Sequence, residues 1–158
     1  MKLTKILSFT LLVLITVLSS SCGRNTVFDE TIDVDESGWF KNDLARFDVL
    51  IEDSLASYNY YLNLRHSVDY RYSNLFVFMN TTYPNGNISR DTVEFVLADK
   101  SGKWYGKGWG EIKDNSIMLV RDIKFPLEGS YTFQIQQAMR EDTLKGVSNI
   151  GIRIEYSK

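Results

Sequence analysis

The sequence is poor in the residues from which many metal sites and acid–base pairs are built. Its 158 residues include one Cys, one His and two Pro. A single Cys excludes an internal disulfide and a Cys-rich zinc site. A single His excludes the two-histidine metal motifs and leaves few acid–base dyads. The sequence therefore predicts a protein without metal or cofactor that is not an enzyme.

Charge of one sign is also lacking, since 18 Lys and Arg residues stand against 20 Asp and Glu residues. Without a broad basic field, nucleic acid is not expected as a partner. No small-molecule substrate is evident either. Acidic residues cluster near the N-terminus without the spacing of a calcium loop, and a solvated, lipid-repelling face is expected there; they are Asp29, Glu30, Asp33, Asp35 and Glu36.

Long hydrophobic runs are absent except at the N-terminus. Lys2 and Lys5 precede an uncharged apolar run from Ile6 to Leu18. The run is shorter than the ~20 residues that span a bilayer, and it fits the h-region of a secretory signal peptide. Residues 1–21 are therefore predicted to be a signal peptide.

The only cysteine, Cys22, stands directly after this segment and after three serines. This order resembles a bacterial lipobox, in which the cysteine thiol is acylated, for example with palmitate, and becomes the new N-terminus. The usual Leu three residues before the cysteine is Ser19 here. An ordinary secretory signal with a cysteine near its cleavage site is the alternative. We predict lipidation of Cys22, a short lipid-anchored tether over residues 22–26 and a single domain over residues 27–158.

The body of the chain alternates apolar and polar residues, as expected of antiparallel sheet with one buried face. Strands are predicted around Phe47–Ile51, Tyr58–Leu64, Val93–Leu97, Tyr131–Ile135 and Ile150–Tyr156, with a weaker one over Ser116–Val120. Leu75–Met79 is apolar on both faces, which predicts a central strand. The fold class is therefore all-β, an antiparallel β-sandwich of immunoglobulin-like or jelly-roll-like type, preceded by a signal peptide.

Turn signals separate the strands. Pro84, Asn85 and Gly86 predict a hairpin, and Asp114-Asn115 predicts another turn. Gly129-Ser130-Tyr131 resembles a tyrosine corner. A short helical turn is expected within residues 138–144.

One segment, Ser101–Gly110, concentrates glycine, lysine and three aromatic residues: Trp104, Tyr105 and Trp109. It has neither P-loop nor dinucleotide-binding spacing. These rings are candidate contacts for a partner or a glycan, because exposed aromatic side chains offer rigid contact area. Alternatively, the rings close one end of the sandwich.

The only histidine and three short triplets are further features of the sequence. His66 follows a predicted strand and is expected to be solvated rather than catalytic. Asp-hydroxyl-apolar triplets occur at Ser54, Thr92 and Thr143, and they resemble the O-glycosylation acceptors of Bacteroidetes envelope proteins. At Thr92 the same residues also fit a turn that enters a strand.

Several short segments, in order, resemble the GldH gliding-motility lipoprotein family of the Bacteroidetes. They span nearly the whole chain after Cys22; they are Tyr72–Phe76, Tyr83–Gly86, Asp91–Glu94, Gly102–Gly108, Gly129–Phe133, Gln136–Arg140 and Gly151–Glu155. The resemblance implies an envelope lipoprotein needed for gliding, linked to the motility and secretion apparatus, with no known catalytic residues. Members also occur in non-gliding relatives.

The sequence and this resemblance together predict a non-enzymatic accessory or structural lipoprotein. A lipid would anchor it in the outer membrane. There it would contact envelope proteins of the gliding and secretion apparatus. The alternative is a glycan-binding β-sandwich lipoprotein of a nutrient-uptake system, suggested by Trp104, Tyr105 and Trp109.

Overall fold

The structure, a computed structural model, describes residues 25–158. The signal peptide and Cys22 lie outside the described residues. Strands dominate the described part of the chain: β1 (Thr26–Asp33), β2 (Trp39–Phe40), β3 (Ala45–Ile51), β4 (Tyr58–Ser67), β5 (Asn74–Thr82), β6 (Ile88–Val96), β7 (Ile112–Ile123), β8 (Gly129–Gln137), β9 (Thr143–Leu144) and β10 (Val147–Tyr156).

These strands form two four-stranded antiparallel sheets and one small pair. Sheet I has the order β1-β10-β4-β7, sheet II has the order β3-β8-β5-β6, and β2 pairs with β9. The predicted all-β sandwich is confirmed, and β5 lies inside sheet II as its two apolar faces predicted. Among residues 25–158, no helix has the length and apolar character needed to cross a bilayer.

The core lies between the two sheets because each long strand turns one face inward. In β4 every second residue from Tyr58 to Leu64 is buried, and in β10 so are Ile150, Ile152 and Ile154. Leu62 stands opposite Ile152 and Ile117 on the two neighbouring strands. The period of two in the sequence therefore marks the faces that the sandwich buries.

The hairpin turn at Gly86 and the tyrosine corner, both predicted from short motifs, are confirmed. Between β5 and β6 the Gly86 amide donates to the Tyr83 carbonyl at 2.9 Å, and Gly86 has a φ of +83° that favours glycine. Before β8, the Tyr131 hydroxyl donates to the Leu127 carbonyl at 2.9 Å and accepts from the Leu127 amide at 3.1 Å. Tyr131 thus makes a tyrosine corner.

We expect Tyr131→Phe to lower the free energy of unfolding by about 1–2 kcal/mol, because it leaves the partly buried backbone amide and carbonyl of Leu127 without this partner. Tyr60→Phe is the matched control. The Tyr60 hydroxyl is also buried, yet within the described residues it has no hydrogen-bond partner. Its removal should be neutral or stabilising. Urea unfolding of both variants tests the pair, and equal losses would contradict the assignment.

Two local predictions are wrong. Asp114-Asn115 lies inside β7 instead of in a turn, because Asp114 accepts from Arg65 Nε at 2.6 Å across the sheet and Asn115 turns inward. Residues 138–144 form no helical turn, and the segment ends in β9. The Gln137 side chain holds the bend there by donating to the Glu141 carbonyl at 2.8 Å and accepting from the Met139 amide at 2.9 Å.

The acidic segment after the predicted tether is solvated, as expected, and its first part also forms a strand that the sequence did not predict. Residues 29–33 belong to β1, which pairs with β10 at the edge of sheet I, and their acidic side chains are exposed. Of the predicted tether, Asn25 and Thr26 are described, and Thr26 is already part of β1.

The strand registers place the start of β1 at one end of the sandwich and the start of β7 at the opposite end. At the N-terminal end, Thr26 pairs with Glu155, which stands opposite Asn59 near the start of β4. At the distal end, Ser67 at the end of β4 pairs with Ile112 at the start of β7. Ten residues of β4 separate the two ends, a distance of roughly 30 Å.

Candidate functional site

The segment between β6 and β7, residues 97–111, forms a loop at the distal end, which we call the aromatic loop. Backbone hydrogen bonds fix its shape. The Tyr105 amide donates to the Leu97 carbonyl at 2.9 Å, and Lys107 and Asp114 exchange two bonds of 2.9 and 2.7 Å. The loop is therefore tied to both sheets, through the end of β6 and through β7.

Two close approaches require glycine in this loop. A side chain on Gly106 would begin 2.8 Å from the Asn115 amide nitrogen, and one on Gly108 would begin 2.4 Å from the Ile112 carbonyl oxygen. Gly108 also has a φ of +145°, which L side chains rarely adopt. Asp99 holds the first turn of the aromatic loop. Its carboxylate accepts hydrogen bonds from the Ser101 hydroxyl and from the amides of Ser101 and Lys103, and these bonds lower its pKa.

The three rings of the aromatic loop divide into one anchor and two exposed side chains. Trp104 is half-buried and packs edge-on against His66, with ring centroids 4.7 Å apart. Tyr105 is 63% exposed and Trp109 is 98% exposed. Trp104 thus closes the end of the sandwich, while Tyr105 and Trp109 face solvent, and a role of these rings as partner or glycan contacts stays a prediction.

The expectation that His66 is solvated is wrong. Its side chain is fully buried beneath Trp104 and beside Tyr70, because it is the last inward-facing residue of β4. Its Nδ1 lies 2.9 Å from the Ser67 carbonyl, and its Nε2 has no hydrogen-bond partner within the described residues. Burial lowers the pKa of the ring, so His66 is neutral at pH 7.

The aromatic loop and the start of β7 are locally basic. Residues 97–113 contain four lysines and two acidic residues, whereas the whole chain has an acidic excess. No salt bridge of the described residues involves these lysines; they are Lys100, Lys103, Lys107 and Lys113. The segment that carries the exposed Trp109 therefore also carries positive charge that forms no salt bridge within the described residues.

A second feature is a groove of about 690 Å³ on the outer face of sheet I, which we call the polar groove. Outward side chains of all four strands line it, and Tyr105 and Lys107 of the aromatic loop stand beside it. Its polar outward-facing strand residues are Thr31, Asp33, Asn63, Arg65, Asp114, Ser116 and Asn149, and Leu64, Asn115 and Ile117 of sheet I and Val96 of sheet II also line it. No single segment of the sequence contains the polar groove, so no pattern along the chain predicted it.

The O-glycosylation triplets lie in three different settings. The Ser54 hydroxyl is half-buried and donates to Glu128 at 3.3 Å, and Thr143 is half-buried in β9. Thr92 is exposed on β6 opposite Phe78. Use of these three acceptors stays a prediction.

In the described part of the chain, no group of three or more His, Cys, Asp and Glu side chains is placed to hold a metal ion.

Comparison with known proteins identifies relatives over the whole domain. The family model described as GldH lipoprotein matches residues 26–154. A gliding motility lipoprotein GldH homolog of Christiangramia forsetii is 36% identical over 148 residues, which cover 89% of this chain and 90% of the relative. The gliding motility lipoprotein GldH of Flavobacterium johnsoniae is 35% identical over 152 residues, covering 92% and 94%.

A family 35 carbohydrate binding module of Clostridium thermocellum is structurally similar at a TM-score of 0.34 and 13% identity, over 82% of this chain and 99% of the module. A TM-score that low carries no argument about fold or ligand. The family match and both relatives, by contrast, cover almost all of the described residues. The chain therefore belongs to the GldH lipoprotein family, whose named members are lipoproteins of gliding motility.

Proposed function

We propose that this protein is a non-enzymatic accessory component of the motility and secretion machinery, anchored in the outer membrane by lipid on Cys22. It acts by contacting other envelope proteins with the aromatic loop. Membership of a family of gliding-motility lipoproteins supports the lipid anchor and the link to motility. The observation that carries the proposal is Trp109, which is 98% exposed on a loop held by backbone hydrogen bonds.

An exposed tryptophan on a loop held by backbone hydrogen bonds is the kind of side chain that dominates protein–protein binding energy. Tryptophan and tyrosine are enriched among interface hot spots because they bury a large area at a low cost in conformational entropy. In solvent, the Trp109 ring has no compensating contact, and burial against a partner removes its apolar surface from water. Tyr105 extends the same exposed surface.

The position of the aromatic loop suits such a contact. The lipid anchor precedes β1, which begins at the N-terminal end of the sandwich, whereas the aromatic loop is at the distal end. Four residues, 23–26, stand between Cys22 and Val27, a reach of at most ~14 Å. A domain held so closely presents its distal end away from the anchoring membrane.

The charge of the aromatic loop indicates the chemistry of the partner surface. Its lysines have no intramolecular salt bridge in the described part of the chain, so they favour an acidic surface. His66, the only histidine, is buried beneath Trp104 and does not reach solvent, which supports a role in packing instead of catalysis.

We expect Trp109→Ala to weaken the partner contact by roughly 30-fold or more, the loss of about 2 kcal/mol that defines a hot spot. Cells carrying the variant should spread poorly, and crosslinking in intact cells followed by mass spectrometry should lose the partner. Leu55→Ala is the matched control, because Leu55 is 84% exposed on the opposite end of the sandwich.

Immunoblotting should show equal amounts of wild-type, Trp109→Ala and Leu55→Ala protein. Normal spreading and an unchanged crosslinked partner in the Trp109→Ala strain would contradict the proposed contact. Equal defects in both variants would also contradict it, because they would show no preference for the distal end.

A further inference from the structure

We propose that the polar groove on sheet I binds a neutral oligosaccharide. This goes beyond the proposed protein contact, in which Trp109 is the main residue; Tyr105 borders both surfaces, whereas Trp109 does not line the groove. It also moves the glycan hypothesis from the three loop rings to a site that four strands build together, with Tyr105 as its aromatic wall. A volume of about 690 Å³ lies within the range of ligand pockets.

The floor of the polar groove consists of polar side chains in fixed positions. One row crosses all four strands through Asp33, Asn149, Arg65 and Asp114, which the strand registers place opposite one another. Asn149 donates to Asp33, and Arg65 donates to Asp114 at 2.6 Å. These bonds hold the side chains in place before a ligand arrives, which lowers the entropic cost of binding.

A second, parallel row contains Thr31, Asn63 and Ser116. The Ser116 hydroxyl donates to the Asn63 carbonyl oxygen at 2.8 Å, and the Asn63 amide nitrogen donates to Asp29 at 3.3 Å. Gly151 separates Thr31 from Asn63 in this row. A side chain on Gly151 would begin 2.6 Å from the Thr31 hydroxyl oxygen, so glycine lets the Thr31 side chain lie across the strand.

These internal bonds leave hydrogen-bonding capacity for a ligand. Within the described residues, Arg65 bonds Asp114 through Nε, so its two terminal nitrogens remain for other acceptors, and Asn149 uses its amide nitrogen, so its oxygen remains. Amides, hydroxyls and carboxylates side by side offer the mixed donors and acceptors that sugar hydroxyl groups require.

Charge decides which polar ligand fits. The carboxylates of Asp33 and Asp114 balance the cationic groups of Arg65 and Lys107, and Arg65 is already paired. The polar groove therefore offers no net charge for an anion or a cation, which favours a neutral ligand rich in hydroxyl groups. Tyr105, 63% exposed at its side, provides a flat apolar surface for the C–H face of a sugar ring.

The test uses the full, lipidated chain purified in detergent and titrated by calorimetry. The probes are cellohexaose, laminarihexaose, mannohexaose and maltohexaose as neutral hexasaccharides, with hexagalacturonic acid as the acidic comparison. At least one neutral probe should bind with a dissociation constant of 1 mM or tighter. The acidic probe should bind more weakly than that neutral one.

The double variant Asn63→Ala with Asn149→Ala should weaken this binding roughly tenfold or more, because it removes amides from adjacent strands. Tyr105→Ala, which leaves the strands intact, should weaken it as well. Asn80→Ala is the matched control, since Asn80 is a half-buried strand residue of sheet II. Thermal unfolding confirms that each variant is folded.

Failure of every neutral probe to bind at 1 mM would overturn the proposal, as would tighter binding of the acidic probe. Binding that both groove variants leave unchanged would overturn it too. Trp109→Ala should leave saccharide binding unchanged, so loss of the protein contact and loss of the saccharide site are distinguishable.

Discussion

Leu62→Ala should lower the free energy of unfolding by about 2–5 kcal/mol, the range for removing a large aliphatic side chain from a packed core. Leu62 is completely buried at the centre of β4, and its neighbours Ile117 and Ile152 belong to the two adjacent strands. Because three of the four strands of sheet I meet there, little movement is available to fill the cavity. The expected fall in melting temperature is roughly 4–20 °C.

The matched control is Leu50→Ala, the same change on an outward-facing position of β3. Leu50 is 57% exposed, so its truncation should change stability by no more than about 0.5 kcal/mol. Circular dichroism during heating and urea titration measure both variants. Similar losses in the two variants would contradict the assignment of Leu62 to the centre of the core.

Cys22→Ala should move the protein from the membrane fraction to the soluble envelope fraction and abolish its role in gliding. Each buried CH₂ of an acyl chain contributes ~0.8 kcal/mol, and several chains are needed for stable anchoring. The wild-type chain should incorporate labelled palmitate and the variant should not. Ser21→Ala is the matched control, since it keeps a small residue beside Cys22 and should be labelled and localised as wild type.

The same experiment distinguishes lipidation of Cys22 from an ordinary secretory signal. If residues 1–21 were an ordinary secretory signal, the wild-type chain would carry no palmitate and would fractionate like Cys22→Ala. An unlabelled wild-type chain, or a Cys22→Ala variant that remains in the membrane and supports gliding, would contradict lipidation.

Much of the sandwich was predictable because a period of two in hydrophobicity reports which face of a strand is buried. Leu62 and Ile152 were assigned inward on that basis, and both are buried. Strand ends were less predictable. Asp114-Asn115 has the residue types of a turn, but the bond from Arg65 on β4 keeps these residues in β7, and that partner is 49 positions away.

β1 was missed for a related reason. Residues 29–33 are mostly acidic, which is unusual for a strand, and β1 has an exposed burial pattern along nearly its whole length. It exists because β10 offers a complete row of backbone partners. Val27 and Phe28 pack against the core, but the rest of this edge strand is held by the backbone of its neighbour, so hydropathy does not reveal it.

The candidate site was predicted in composition and not in geometry. The sequence named Trp104, Tyr105 and Trp109, and all three lie in one loop. Only the fold separates their roles, because the inward position of His66 at the end of β4 provides the surface on which Trp104 packs. The same burial makes His66 a neutral core residue instead of a solvated one.

By itself, the sequence determined the fold class, the tyrosine corner, the hairpin at Gly86 and the family, because each depends on a local pattern or on an ordered set of short motifs. The tertiary structure alone decided which ring is an anchor, which rings meet solvent, and that a polar groove exists. Those features join residues that are far apart along the chain, such as Asp33, Arg65 and Asn149, and strand pairing is what brings them together.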